Sequence, residues 1–157
     1  MYPDVAAWLR RTMETAFRGK AVAVEVTGRL VLWRFLQQRG WHGYFPDYAT
    51  FDIRTDVTGI VHSETAAQLA FVECKLGPIR LRDISQLLGY SRVAKPVLAY
   101  IVSPAGISTA VRTLLVTHRR FDVVEYDAGK RIRVATWNRQ RQEIDHSTLL
   151  PPGAHSL

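Results

Sequence analysis

The chain has one cysteine, Cys74, in 157 residues. That excludes an intrachain disulfide framework and any zinc site built from several cysteines. Long apolar runs are also missing. Charge interrupts every such stretch within a few residues, so no segment is expected to span a bilayer. The opening MYPDVAAWLRR lacks a basic start followed by an apolar block, so no secretory leader is expected and the cytoplasm is the expected compartment. Acidic residues are few: 14 Asp and Glu face 21 Lys and Arg, leaving a formal charge of +7 and a pI near 10.0. Lysine is scarcer still, with 4 against 17 arginines. Arginine grips phosphate oxygens through a two-pronged fork, so the bias points toward a polyanion such as nucleic acid; no membrane partner is expected. No glycine-rich loop of the phosphate-cradling kind occurs, and the five histidines, His42, His62, His118, His146 and His155, show no ligand spacing.

Apolar residues make up 47% of the chain, enough to bury a core, and 157 residues suit one domain rather than two. Neither a repeat nor a linker divides it, and the expected unit is a single domain over 1–150 with a frayed tail at 151–157. Apolar spacing predicts a helix over 3–18 and another over 22–39, the second ended by Gly40. Strands are predicted at 51–61 and 69–76, a helix at 81–93, and a buried strand in PVLAYIV. Ser103-Pro104 reads as a helix start. Strands at 121–126 and 132–137 are expected to form a hairpin across DAGK, and LLPPGAHSL is expected to fray. This order suits a mixed central sheet with helices on both faces.

The strongest chemical signal lies in LAFVECKLG. Strand side chains alternate, so Phe71, Glu73 and Lys75 share one face, while Val72, Cys74 and Leu76 share the core face. A Glu and a Lys two apart among apolar neighbours need a partner or a ligand. One solution is a carboxylate holding a divalent ion, with the ammonium beside an attacking water; the other is a surface ion pair. Upstream, Asp52, Arg54, Asp56 and Thr58 alternate with Phe51, Ile53 and Val57, and aspartate is unusual inside a strand. Pairing of the two strands brings Asp56 toward Glu73. Two carboxylates and the Cys74 backbone carbonyl would then offer the hard oxygen donors that Mg²⁺ or Mn²⁺ prefers. Asp52, on the same face, is the second choice. Cys74, turned away from Lys75, is read as core rather than nucleophile, and His42 as part of a packed aromatic loop.

Asp56 followed by Glu73-Cys74-Lys75 resembles the signature of the PD-(D/E)XK, or restriction endonuclease-like, nucleases. Glu25, in a predicted helix ending Leu36-Gln37-Gln38-Arg39-Gly40-Trp41, and Gln86-Leu87-Leu88-Gly89-Tyr90, after the lysine strand, are similar to further elements of that family, small Holliday-junction resolvases in particular. The similarity covers about residues 22–103, and Thr55 stands where the family's proline precedes the aspartate. It implies an α/β restriction endonuclease-like core in the order helix-strand-strand-strand-helix-strand. It also implies a Mg²⁺- or Mn²⁺-dependent endonuclease acting on DNA in preference to RNA, and a homodimer. In that scheme Asp56, Glu73 and the Cys74 carbonyl bind metal, joined by Glu25 at a second ion or a bound water. Lys75 activates water and Gln86 orients it or touches phosphate. From Lys75 to Lys95 there are five basic residues against one acid, Asp83; Arg80, Arg82, Arg92 and Lys95 are the expected nucleic-acid contacts. The alternatives are a catalytically silent nucleic-acid-binding module of the same fold, and a structural protein-interaction domain.

Overall fold

The computed structural model describes residues 1–153; the remainder of the predicted frayed tail, with His155, lies outside the described residues. Its centre is a six-stranded mixed sheet in the order β1-β2-β3-β4-β7-β8. Helix α1 (Tyr2–Ala16) leads into β1 (Ala21–Val26), a short α2 (Leu32–Gln38), β2 (Val57–His62) and β3 (Ala67–Cys74). Helix α3 (Leu81–Ala94), strand β4 (Leu98–Ser103) and α4 (Thr109–Arg112, continued by a π turn over Thr113–Thr117) follow. A two-stranded ribbon, β5 (Glu125–Asp127) and β6 (Lys130–Arg131), precedes β7 (Arg133–Asn138) and β8 (Glu143–Leu150). Strands β1, β2 and β3 form an antiparallel meander, β4 runs parallel to both β3 and β7, and β8 closes the far edge antiparallel to β7.

Both faces of the sheet are covered. Val5, Trp8, Leu9 and Met13 of α1 pack on Val24, Val57, Val61, Val72, Tyr100 and Val102. The opposite face, with Ile60, Leu69, Phe71, Ala99, Ile101 and Val134, is covered by α2, α3 and α4 through Leu36, Ile84, Leu87, Val111 and Leu115. Every residue of β4 is buried, as expected of a parallel strand enclosed by helices. Helix α1 lies close to the sheet because Gly59 offers no side chain: a Cβ there would stand 2.5 Å from the Met13 sulfur.

Four predicted elements are corrected. The helix over 22–39 divides into β1 and α2. Val22, Val24 and Val26 are β-branched and alternate, a strand pattern, and Thr27-Gly28 breaks the chain before α2 begins. The strand predicted at 51–61 starts only at Val57. Residues 51–56 alternate between buried and exposed, but their carbonyls serve α2: Ile53 accepts from Leu32 N–H at 2.8 Å and Phe51 from Trp33 N–H at 3.3 Å. The helix expected from Ser103-Pro104 begins at Thr109, capped by Ser108. The Ser103 hydroxyl instead donates to the Gly77 carbonyl at 2.7 Å and accepts from Ala105 N–H. The expected 121–126 strand is mostly a 3-10 turn, Phe121–Val124. The DAGK hairpin joins only the short β5 and β6, while the predicted 132–137 strand runs between β4 and β8. Strand β8 also claims Leu149 and Leu150, which had been expected to fray.

Candidate functional site

The site forms where β2 begins and β3 ends. Asp56 immediately precedes β2 and is held from three sides. Its carbonyl accepts from Thr27 N–H at 2.9 Å, and its Oδ2 accepts from Cys74 N–H at 2.8 Å. Gly28 lies against Oδ1, where a Cβ would come within 3.3 Å. Beneath it, buried Thr27, Thr55 and Thr58 share hydroxyl hydrogen bonds of 2.7 and 3.0 Å, and Thr27 also donates to the Thr55 carbonyl at 2.9 Å. Buried hydroxyls satisfied in this way tie Thr27, just past the end of β1, to Thr55 and Thr58 around the start of β2, and with them the aspartate.

Glu73 is the penultimate residue of β3, and its side chain is only 11% exposed. Its Oε1 accepts from Lys75 Nζ at 3.0 Å, whereas its Oε2 is buried with no hydrogen-bond partner. Lys75 Nζ also lies 3.7 Å from Asp83 Oδ1. Asp83 in turn accepts from Arg80 N–H through Oδ2 at 2.8 Å, capping α3. The ammonium is therefore suspended between a strand carboxylate and a helix-capping carboxylate.

Burial raises the Asp56 carboxyl above the usual range, against the opposing pull of the Cys74 N–H and the Lys75 charge. Glu73 is raised first by burial and then by the Asp56 charge, with the Lys75 hydrogen bond and charge and the Asp56 backbone N–H acting in the other direction. For Lys75, burial works to lower its pKa; the Glu73 hydrogen bond and the charges of Glu73, Asp83 and Asp56 outweigh it, so the amine is raised. The Cys74 thiol is pushed far up by burial, then by Asp56 and Glu73. It lies on the α1-facing side with Val72 and stays protonated, which fits core packing.

Asp56, bound to the Cys74 N–H, and Glu73, which feels the Asp56 charge and has one buried orphan oxygen, are donors of the hard-oxygen kind that Mg²⁺ or Mn²⁺ takes. The unpartnered Glu73 Oε2 supplies the fit on which a metal reading rests, because a buried acceptor without a partner is costly. Among the described residues, no group of three or more His, Cys, Asp or Glu side chains is arranged to hold a metal ion. Any ion here would depend on Asp56, Glu73, the Cys74 carbonyl, and water or substrate oxygens.

The other expected residues are placed as follows. Glu25 lies on β1 rather than on a helix, opposite Thr58, and its carboxylate is paired with Arg39 after α2. Gln86 is exposed on α3, donating to the Tyr90 hydroxyl at 3.1 Å. Asp52 is exposed in the segment before Asp56. Arg80 and Arg82 line a hollow of about 200 Å³ with Lys75, Leu76, Gly77, Pro78 and Asp83. Arg92 and Lys95 sit at the other end of α3, about 18 Å along its axis at 1.5 Å per residue. His42 packs beside Tyr48 in the aromatic loop, with ring centroids 5.2 Å apart.

Sequence reasoning missed three features. Asp83 was visible as the lone acid in a basic stretch, but its approach to Lys75 needs the turn between β3 and α3. Tyr2, at the tip of α1, comes near enough that its phenol is raised first by the Asp56 charge, then by burial, Cys74 and Glu73. Leu76, assigned to the core face, is 71% exposed because β3 ends at Cys74 and the chain turns before the alternation can continue. No helix of the described residues is long and apolar enough to cross a membrane. Compared with protein-family models, with curated proteins and with solved structures, the chain gives no match.

Proposed function

We propose that the chain is a Mg²⁺- or Mn²⁺-dependent deoxyribonuclease of the restriction endonuclease-like type, with Asp56, Glu73 and Lys75 as its centre. The observation that carries this reading is the buried, unpartnered Glu73 Oε2, on a carboxylate whose other oxygen accepts from Lys75 and which feels the Asp56 charge. Over the stretch that carries the resemblance, the order β1-β2-β3-α3-β4 supports it as the strand-strand-strand-helix-strand part of the implied order, with α2 inserted between β1 and β2 and the leading helix, α1, lying ahead of that stretch.

In this reading Asp56, Glu73 and the Cys74 carbonyl would hold the ion, which when bound polarises a phosphoryl oxygen and lowers the pKa of water. Lys75, paired with Glu73 and near Asp83, would set its ammonium beside the phosphoryl oxygens as a positive charge. Asp83 keeps the ammonium from collapsing fully onto Glu73. Arg80 and Arg82 bind flanking phosphates, which positions a strand without reading its bases. Glu25, paired with Arg39, takes no part in the first ion's coordination.

The test is cleavage of labelled single-stranded, duplex, flap and four-way-junction DNA with Mg²⁺, Mn²⁺ or EDTA. Metal-dependent cutting is expected, with Glu73→Ala and Lys75→Ala each lowering it by about 10²- to 10³-fold, the scale of losing one electrostatic stabiliser. Absence of cutting on every substrate, with salt-sensitive binding intact, would favour a silent DNA-binding module. The Glu25–Arg39 pair speaks for that second reading, because it occupies a carboxylate that the active family scheme would use.

A further inference from the structure

On the face that α1 covers, a hollow of about 580 Å³ opens between the second half of that helix and strands β4, β7 and β8. Its size is that of a small-molecule site. Buried Trp8, Leu98, Tyr100, Ile144 and Leu149 supply its apolar lining. Trp8 stands edge-on to Tyr100 and to Trp137, with ring centroids 5.0 and 5.9 Å apart, so this floor is firmly packed. Arg133, half-buried at the start of β7, donates to the Tyr100 hydroxyl at 2.8 Å and holds its guanidinium 5.4 Å from the Tyr100 ring centroid. Arg11 lines the opposite wall from α1, held only by a 3.5 Å contact with the Gln142 carbonyl. Glu143, half-buried at the start of β8, completes the charged rim. Among the described residues, none of these three charges forms an ion pair. The hollow is remote from the Lys75 centre. Leu98 pairs with Ala70 and Tyr100 with Val72, toward the other end of β3 and on the sheet face opposite the Glu73 side chain.

Each part of this lining asks for a different chemistry. Partly buried charges call for partners. Two guanidinium forks on facing walls match a phosphate, whose several oxygens can accept from both at once. The aromatic and aliphatic floor suits a flat body of low polarity. Glu143, an acceptor without a donor, suits a hydroxyl or amine on the same molecule. Bare phosphate would leave the floor wet, and a fatty acid would leave Glu143 unmatched. We propose that the hollow binds a free nucleoside monophosphate, with its phosphate on Arg133 and Arg11, its base over the Trp8–Tyr100 floor, and a sugar hydroxyl or base amine donating to Glu143. This ligand site is separate from the Asp56–Glu73–Lys75 centre and does not depend on the nuclease reading.

The test is calorimetric titration of adenosine monophosphate into the whole chain in EDTA, beside adenosine, inorganic phosphate and phenylalanine as separate probes. The monophosphate is expected to bind at least about tenfold more tightly than any of the other three. Arg133→Ala and Arg11→Ala are each expected to lower its affinity by about tenfold, the scale of one lost charge-assisted hydrogen bond, and to leave adenosine unchanged. Arg11 is exposed on α1, so its variant keeps the thermal midpoint and the result does not hang on folding. Glu143→Ala is expected to weaken adenosine and its monophosphate alike. Ala16→Trp, at an exposed position lining the hollow, is expected to abolish binding of both. Absence of nucleotide binding overturns the proposal, as does phenylalanine binding as tightly as the monophosphate. Binding lost in Lys75→Ala but kept in Arg133→Ala moves the nucleotide to the other centre and overturns it too. Displacement by an equal concentration of single-stranded DNA, itself weakened by Arg133→Ala, assigns the hollow to a nucleic-acid surface and overturns the free nucleotide. The nuclease reading stands or falls on the cleavage assay alone.

Discussion

At the scale of single residues, the pairing of Asp56 with Glu73 sets the behaviour of the site. Both carboxyls are raised in the folded chain, chiefly by burial. A carboxyl raised on folding holds its proton more tightly in the native state, so the native state binds more protons above the ordinary carboxylate range. Stability contributed by these two groups is therefore greatest at low pH and falls as pH climbs through the unfolded pKa toward the folded one. Metal-free protein is expected to show this fall as pH rises above the ordinary carboxylate values of about 4. Asp56→Asn is expected to flatten it and raise the midpoint at pH 7, since the amide oxygen still accepts from Cys74 N–H without a buried charge. Thermal melts of both proteins across that range check the sign. Mg²⁺ is expected to act in the opposite direction, raising the midpoint more as pH rises, because its ligands must first lose their protons. A melt with saturating Mg²⁺ at pH 5 and pH 7.5 measures this, and an equal shift at both would argue against these two carboxylates as ligands.

At the scale of elements, Glu73 and Lys75 were legible because strand alternation is local. It put both on the face opposite Cys74, where they are found. The alternation failed one residue later, at Leu76, because the strand end is set by where β4 stops pairing, which lies about thirty residues away in sequence. Glu25 shows the converse. The interval 22–39 has apolar residues at helical spacing, but Val22, Val24 and Val26 pair with β2, and long-range pairing prevails over local periodicity. The contact of α1 with the sheet depends on Gly59. Gly59→Val is expected to destabilise the chain by about 1–3 kcal/mol through overpacking against Leu9 and Met13, and Met13→Ala in the same chain is expected to recover part of that loss. Urea unfolding of the single and double variants tests it.

At the scale of the molecule, the central parallel pair β3–β4 is covered on both faces and carries the site at its end. Ile101, fully buried in β4, stands opposite Glu73 in register. Ile101→Ala is expected to cost about 2–5 kcal/mol, a large part of the stability of a domain this size. Denaturant titration would show the fall in midpoint, and loss of the Mg²⁺-induced shift alongside it would tie the core to the site. The formal charge of +7 predicts DNA binding that weakens steeply with salt, a property of net charge that needs no particular fold.

The sequence by itself determined the chemistry on offer: one buried cysteine, an Asp and a Glu-x-Lys at strand spacing, a basic helix after them, and a mixed sheet layered between helices. These follow from composition and from periods of 2 and 3.6 residues, which depend only on near neighbours. The tertiary structure decided what those groups meet. It placed Asp56 against the Cys74 amide, set Asp83 beside Lys75, brought Tyr2 toward the carboxylates, paired Glu25 with Arg39, and left Leu76 in solvent. Each of these depends on strand register, a turn or a helix end, where one residue of displacement changes the partner, and such displacements are fixed only when the whole sheet has closed.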